Sequence, residues 1–388
     1  MRVYLFILIV IGYSLSAQAQ NDYSSVDKIA LQLPESESHK TDDIARYINA
    51  HFNTPDEKAR AIFCWITHNI AYDVENMYKV NLYQNTNDIV ERTLNTRKGI
   101  CMSYTELFNA IAAKAGLKSF AVQGYTKQNN KVDILPHAWN AVLIGLEWYL
   151  IDATWGAGYI QNGKFVRHIE NGNFKANPHQ FINTHIPFDP LCQMLDYTVT
   201  NQDFYDGKTG ASNKKTFNYK DSLSEYQTLP ESKQLSDAAR RVEANGVKNA
   251  MIYEHLQHLH QQLEYLHNYK MTDLFNQAVA HYNSGIALLN QFISYRNNQF
   301  SPKKEEKEIR QMVDTVSIEL SASQSRLAEI QKPDAQTAAS VSQLNKSLEQ
   351  ANEGVKEQKA FVDKYFKTGK LFRKTLFYKY TLMGIPVR

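Results

Sequence analysis

The sequence predicts an α+β domain followed by an all-helical region. Three observations carry this. A glycine–cysteine stretch at 98–108 opens onto helical periodicity. Two β-rich runs, 136–144 and 147–155, are separated by Gly145-Leu146. Beyond residue 236 only helical apolar stripes recur.

From Cys101 the apolar residues fall at helical spacing: Ile100, Tyr104, Leu107, Phe108, Ile111 and Ala115, with Gly116 as a C-terminal stop. Cys101 is thereby placed in the first turn of a buried helix. Unpaired N–H groups and the positive end of the helix dipole favour a thiolate there, and Arg97 and Lys98 push the same way. A thiolate is the form that attacks acyl carbon. A lone cysteine in a helix is most often a small buried hydrophobe, and a nucleophile needs a base and an orienting carboxylate from elsewhere in the chain.

The hairpin supplies them. Gly-X between β-rich runs predicts a type II′ turn. If Ile144 pairs with Glu147, His137 falls opposite Thr154 and Trp139 opposite Asp152. His137 and Asp152 then share a face as diagonal neighbours, roughly 7–8 Å apart at the backbone and within side-chain reach. A carboxylate on one ring nitrogen orients the imidazole, and the other nitrogen exchanges a proton with a thiol. An ordinary surface pair is the alternative. The aromatic neighbours on that face, Trp139 and Trp148, argue against full exposure, and Trp139 and Trp155 lie close enough in sequence to the pair to line a site.

Along the chain, residues 1–19 combine one positive charge, an apolar run and Ala17-Gln18-Ala19, the pattern of a signal peptide. Export to the periplasm or the extracellular space is therefore expected. Residues 20–40 read as a polar lead-in. Thr41-Asp42-Asp43 and Thr54-Pro55-Asp56-Glu57 cap two amphipathic helices. Residues 73–96 read as a connection, 119–125 as a strand and 126–135 as a polar loop. The expected domain spans 41–200. A linker at 201–235, with short strands near 219–229, leads to a helical bundle or helical hairpin at 236–388.

The formal net charge of +3 and evenly spread Lys and Arg carry no nucleic-acid signature. Three cysteines in an oxidising compartment leave Cys64 and Cys192 either paired or as two separate buried thiols. His168, His179 and His185 are scattered without i, i+4 spacing, so no metal site is expected.

Gly99-x-Cys101, His137-Ala138-Trp139-Asn140 and 150–156, with 61–66, 69–73 and 181–187, resemble the transglutaminase-like superfamily. The resemblance is to its branch related to the kyphoscoliosis peptidase and fungal cytokinesis proteins, over roughly residues 40–200. It implies a papain-like/transglutaminase-like core, a nucleophile helix packed on an antiparallel sheet. In it Cys101 is the nucleophile, His137 the general base and acid and Asp152 the orienting carboxylate, with no cofactor. Where the family motif usually ends in Trp-Gln, this chain has Cys192-Gln193. The expectation is a cysteine-dependent acyl-transfer enzyme acting on protein or peptide amides, hydrolytic on the resemblance to the peptidase branch. Transglutaminase-type cross-linking and a non-catalytic scaffold are the alternatives. The C-terminal helices are expected to meet a protein partner, and the basic–aromatic tail to pack on its own domain more readily than on a membrane.

Overall fold

The computed structural model describes residues 22–83, 85–212, 214–380 and 386–387; the expected signal peptide lies outside them. The chain divides into two compact units, Met1–Leu259 and His260–Arg388.

The first unit is built on the Cys101–Lys114 helix, whose Tyr104, Leu107, Phe108 and Ile111 are fully buried. The helix ends as its sequence predicts. Gly116 takes φ +80°, and the Leu117 and Gly116 amides donate back to the Ala112 and Ala113 carbonyls (2.9 and 3.2 Å), a Schellman arrangement. Around it stand Thr41–His51, Pro55–Asn69 and Thr86–Thr96. Thr54 and Glu57 form the expected capping box. The helix at Thr41 starts one residue earlier than a Thr41 cap requires: its N-cap is Lys40, with no side-chain bond.

The helix packs on an antiparallel four-stranded sheet in the order Glu147–Ile151, Lys131–Ile144, Ser119–Gln128, His185–Pro187. The expected hairpin register is present, Ile144 opposite Glu147 through Asn140 opposite Ile151. Positive φ at Gly145 but not at Leu146 matches a type II′ turn. Alternation sends Trp139, Ala141, Trp148 and Leu150 into one cluster, while Val142 and Ile151 meet the helices on the other side.

Several expectations are corrected. The pairing stops at Ile151, because Asp152 turns the chain into the short helix Ala153–Ala157 as its N-cap. The polar loop at 126–135 is a continuation of both strands, closed by Asn129 and Asn130, each at positive φ; two asparagines tolerate that conformation where most residues do not. The lead-in contains Ser24–Ala30, which buries Val26 and Ala30. Arg60 holds this helix through a bidentate bond to Asp27 (2.7 and 2.6 Å). The connection at 73–96 contains the helix Thr86–Thr96.

The segment expected as a linker at 201–235 is helical at Asn201–Asp206 and Tyr219–Thr228, where strands were expected, and again from Glu231. It belongs to the first unit: Phe204 is fully buried, and Tyr125 donates to Asn201 (2.8 Å). The second unit is helical apart from a short antiparallel strand pair, Lys379–Tyr380 with Pro386–Val387. Its cluster joins Leu289, Phe292, Val316, Leu320, Leu348 and Val355. The apolar stripes at 252–266 and 274–293 lie on one helix, Ala250–Asn297, since no Gly-Pro punctuation separates them. The next helix is Glu306–Ala328, a few residues past Ser301-Pro302. Asp334 caps the last, Ala335–Lys367. Among the described residues no helix is long and apolar enough to cross a membrane.

Candidate active site

Cys101 is the first residue of its helix, and local sequence accounts for its placement. Lys98–Gly99 pairs in parallel with Ala71–Tyr72, pinning the chain as it enters the helix. Gly99 lies so close to Ser103 that a Cβ there would meet Ser103 Cβ at 2.2 Å. Asn140, on the strand that carries His137, donates to the Thr105 carbonyl (3.1 Å) and to Asn109 (2.9 Å). The strand and the Cys101 helix are thus locked together. The Arg97 guanidinium, expected to favour a thiolate, lies over Trp65 and donates to the Ser38 carbonyl (3.0 Å) instead.

Asp152, fully buried, is the hub. Its Oδ1 accepts the Thr154 and Trp155 amides (2.8 and 3.0 Å). Its Oδ2 accepts from His137 Nε2 at 2.7 Å and from His185 Nε2 at 3.1 Å. A carboxylate only accepts, so both nitrogens carry protons. Nδ1 of His137 is therefore the nitrogen left without a carboxylate partner, and Cys101 lines the same cleft as the ring. Burial raises the Asp152 carboxyl, but His137 and the donors from both histidines outweigh it and hold it well below the usual carboxylate range. Burial likewise lowers His137; the Asp152 charge and bond, with the neighbouring Cys101, overcome this and raise it to about 10.

His185 is the residue that sequence reading set aside. It is 1% exposed, stacked on Phe181 (3.9 Å) with the Trp155 ring edge-on (4.4 Å). Burial holds it down to about 4 despite the Asp152 bond. In the neutral ring Nδ1 accepts from Thr184 Oγ1 at 2.8 Å. The ligand-type atoms of His137, Asp152 and His185 lie within 4.8 Å of one another, and the hydrogen bonds just described already account for that convergence.

A stability consequence follows from His137. Its folded-state value is raised, so its contribution is fully present below about pH 6.5 and is lost as pH rises towards about 10. Urea denaturation at pH 6, 8 and 10 is expected to show stability falling across that window, with His137→Gln flattening the fall. Equal slopes in the two proteins would refute the assignment.

Cys101 and His137 line a cleft of 650 Å³ together with Tyr72, Thr154 and Trp155. Trp155 thus stands where the sequence put it. Trp139 does not line the cleft; it is 1% exposed, packed edge-on to Phe181 and to His185 behind the site. Another cavity, of 540 Å³ and lined by Arg241, contains no cysteine or histidine; Arg241 is bidentate to Asp189. The other two thiols are free: Cys64 lies in the helical core, pushed up to about 12 by burial, and Cys192 is likewise raised by burial in a separate cluster. The pairing considered for them is not made.

The helix-on-sheet core and this site define the class. Residues 42–153 match the model of the Transglutaminase-like superfamily, and the chain carries a transglutaminase-like domain. Among curated proteins it is similar to the kyphoscoliosis peptidase of Mus musculus, 34% identical over 148 residues (36% of this chain, 22% of that protein). Similarity extends to the peptidase of Homo sapiens, 31% over 163 residues (40% and 24%), and to hillarin of Drosophila melanogaster, 24% over 205 residues (47% and 24%). The chain thus spans about a quarter of these relatives' length. Among solved structures, a putative cysteine protease from Cytophaga hutchinsonii is 21% identical, covering 38% of this chain and 49% of that one, with TM-score 0.24. The periplasmic domain of TgpA from Pseudomonas aeruginosa is 22% identical, covering 34% and 48%, with TM-score 0.25.

Proposed function

We propose that the protein is an exported cysteine-dependent acyl-transfer enzyme acting hydrolytically on peptide or side-chain amides. The observation that carries this is the arrangement at Asp152: Oδ2 holds Nε2–H of His137 at 2.7 Å, which leaves Nδ1 available in the cleft that Cys101 also lines. In this reading Cys101 Sγ attacks the carbonyl carbon and Nδ1 of His137 takes the thiol proton. The tetrahedral intermediate collapses with cleavage of the C–N bond, and the amine leaves with that proton. Water then gives a proton to Nδ1, adds to the acyl carbon and displaces the thiolate. The backbone N–H of Cys101, at a helix N-terminus, serves the oxyanion. The peptidase relatives support water over an amine as the acceptor. Export rests on the leader-like residues 1–19.

The test is Cys101 alkylation by iodoacetamide between pH 5 and 9. Fast reaction at pH 6, falling at least tenfold in His137→Ala, is expected. A slow thiol indifferent to the histidine would leave the fold and move the reading to a binding scaffold.

A further inference from the structure

Three separate segments raise exposed apolar side chains around the one cleft that contains Cys101. Tyr78, from the loop after the Ala71–Tyr72 strand, is 73% exposed. Ile134, from the strand that leads to His137, is 81% exposed. Tyr159 and Ile160, on the Gly158–Gln161 strand, are 49% and 41% exposed. Single exposed apolar residues need no explanation, but convergence on a nucleophile does. None of the four serves the helix-on-sheet core, as each keeps a large part of its surface in water. Away from His137 and His168 the charge of the wall is negative: among the described residues that line the cleft, Asp133 and Glu170 are the carboxylates, and there is no lysine or arginine.

We propose that the cleft takes an extended polypeptide segment whose attacked amide is flanked by bulky aliphatic or aromatic side chains, and disfavours segments carrying carboxylates there. Placing the attacked carbon over Cys101 rests on the acyl-transfer reading. The side-chain preference rests on the walls alone. Apolar neighbours of the amide leave water against Tyr78, Ile134, Tyr159 and Ile160. An aspartate in the same position meets Asp133 or Glu170 with no lysine or arginine among the described lining residues to offset the repulsion, and the His137 imidazolium is already paired with Asp152. A small polar amine or sugar would leave the four apolar groups wet.

The experiment uses the full chain and three matched octapeptides, each with a central glutamine flanked by Leu and Tyr, by Ser, or by Asp. Release of new amino termini and of ammonia reads backbone and side-chain attack together. The Leu/Tyr peptide is expected to exceed the Ser peptide at least tenfold in kcat/KM, with the Asp peptide lower still. In Tyr78→Ser/Ile134→Ser that ratio collapses towards one; in Leu31→Ser, an exposed apolar residue elsewhere, it persists. Equal rates for the three peptides, or an unchanged ratio in the double variant, overturns the proposal. If the wild-type chain turns over none of them, fluorescence anisotropy on Cys101→Ala decides. Tenfold tighter binding of the Leu/Tyr peptide upholds the cleft while acyl transfer falls, and equal binding overturns the cleft as well.

Discussion

Replacing Asp152 by asparagine is expected to lower kcat on the order of 10⁴-fold while leaving the protein folded. Oδ1 already accepts two amide donors, from Thr154 and Trp155. An asparagine must keep its oxygen there, which turns its NH₂ towards the Oδ2 position. Two donors, the Nε2–H groups of His137 and His185, would then face a third. His137 escapes by moving its proton to Nδ1, and an Nδ1–H cannot accept from Cys101. The loss therefore belongs to kcat and to Cys101 alkylation together, with a nearly unchanged far-ultraviolet circular dichroism spectrum. Asp152→Ala is a harsher change: it leaves four buried donors without their acceptor, and removing one partner from such a charged network costs about 3–5 kcal/mol. Retention of alkylation rate in Asp152→Asn would show that the carboxylate does not set the His137 tautomer.

Gly124→Ala is expected to destabilise the first unit by about 2–3 kcal/mol and to reduce activity with it. Gly124 sits between two strands, opposite His137 on one side and Pro187 on the other. A Cβ there would lie 2.1 Å from the Ile186 carbonyl oxygen and 2.7 Å from both Pro187 Cα and Trp139 Cη2. Two of these atoms are backbone, so relief requires the His185–Pro187 strand to move outward. That strand carries the second imidazole on Asp152. Gly116→Ala is the control: its added Cβ meets nothing within 4 Å, so only the cost of an L-residue at φ +80° remains, about 1 kcal/mol. Denaturant midpoints for the two variants test the contrast; equal midpoints would remove steric blockage of the strand as the cause.

Much of the site was legible because it is local. The Cys101 helix announces itself through i, i+3, i+4 spacing and a glycine stop. The His137–Asp152 relation follows from a two-residue turn and the period-2 alternation of a hairpin, and it survives although Asp152 leaves the ladder to cap a helix. His185 carried no such signal. It lies 33 residues from Asp152, and periodicity says nothing about which strand will pair at the open edge of a sheet. A bare histidine on a short apolar run reads as ordinary core.

The amino-acid sequence by itself determined the Cys101 helix, its stop, the hairpin register and the face shared by His137 and Asp152, because each depends on contacts a few residues apart. Tertiary structure alone decided the rest. It turned Arg97 onto Trp65, withdrew Trp139 behind the site, made 201–235 part of the first unit and set His185 on Asp152. The physical reason is common to all four. Burial leaves a polar or aromatic group free energy to recover only by meeting partners distant in sequence, and chain packing chooses those partners.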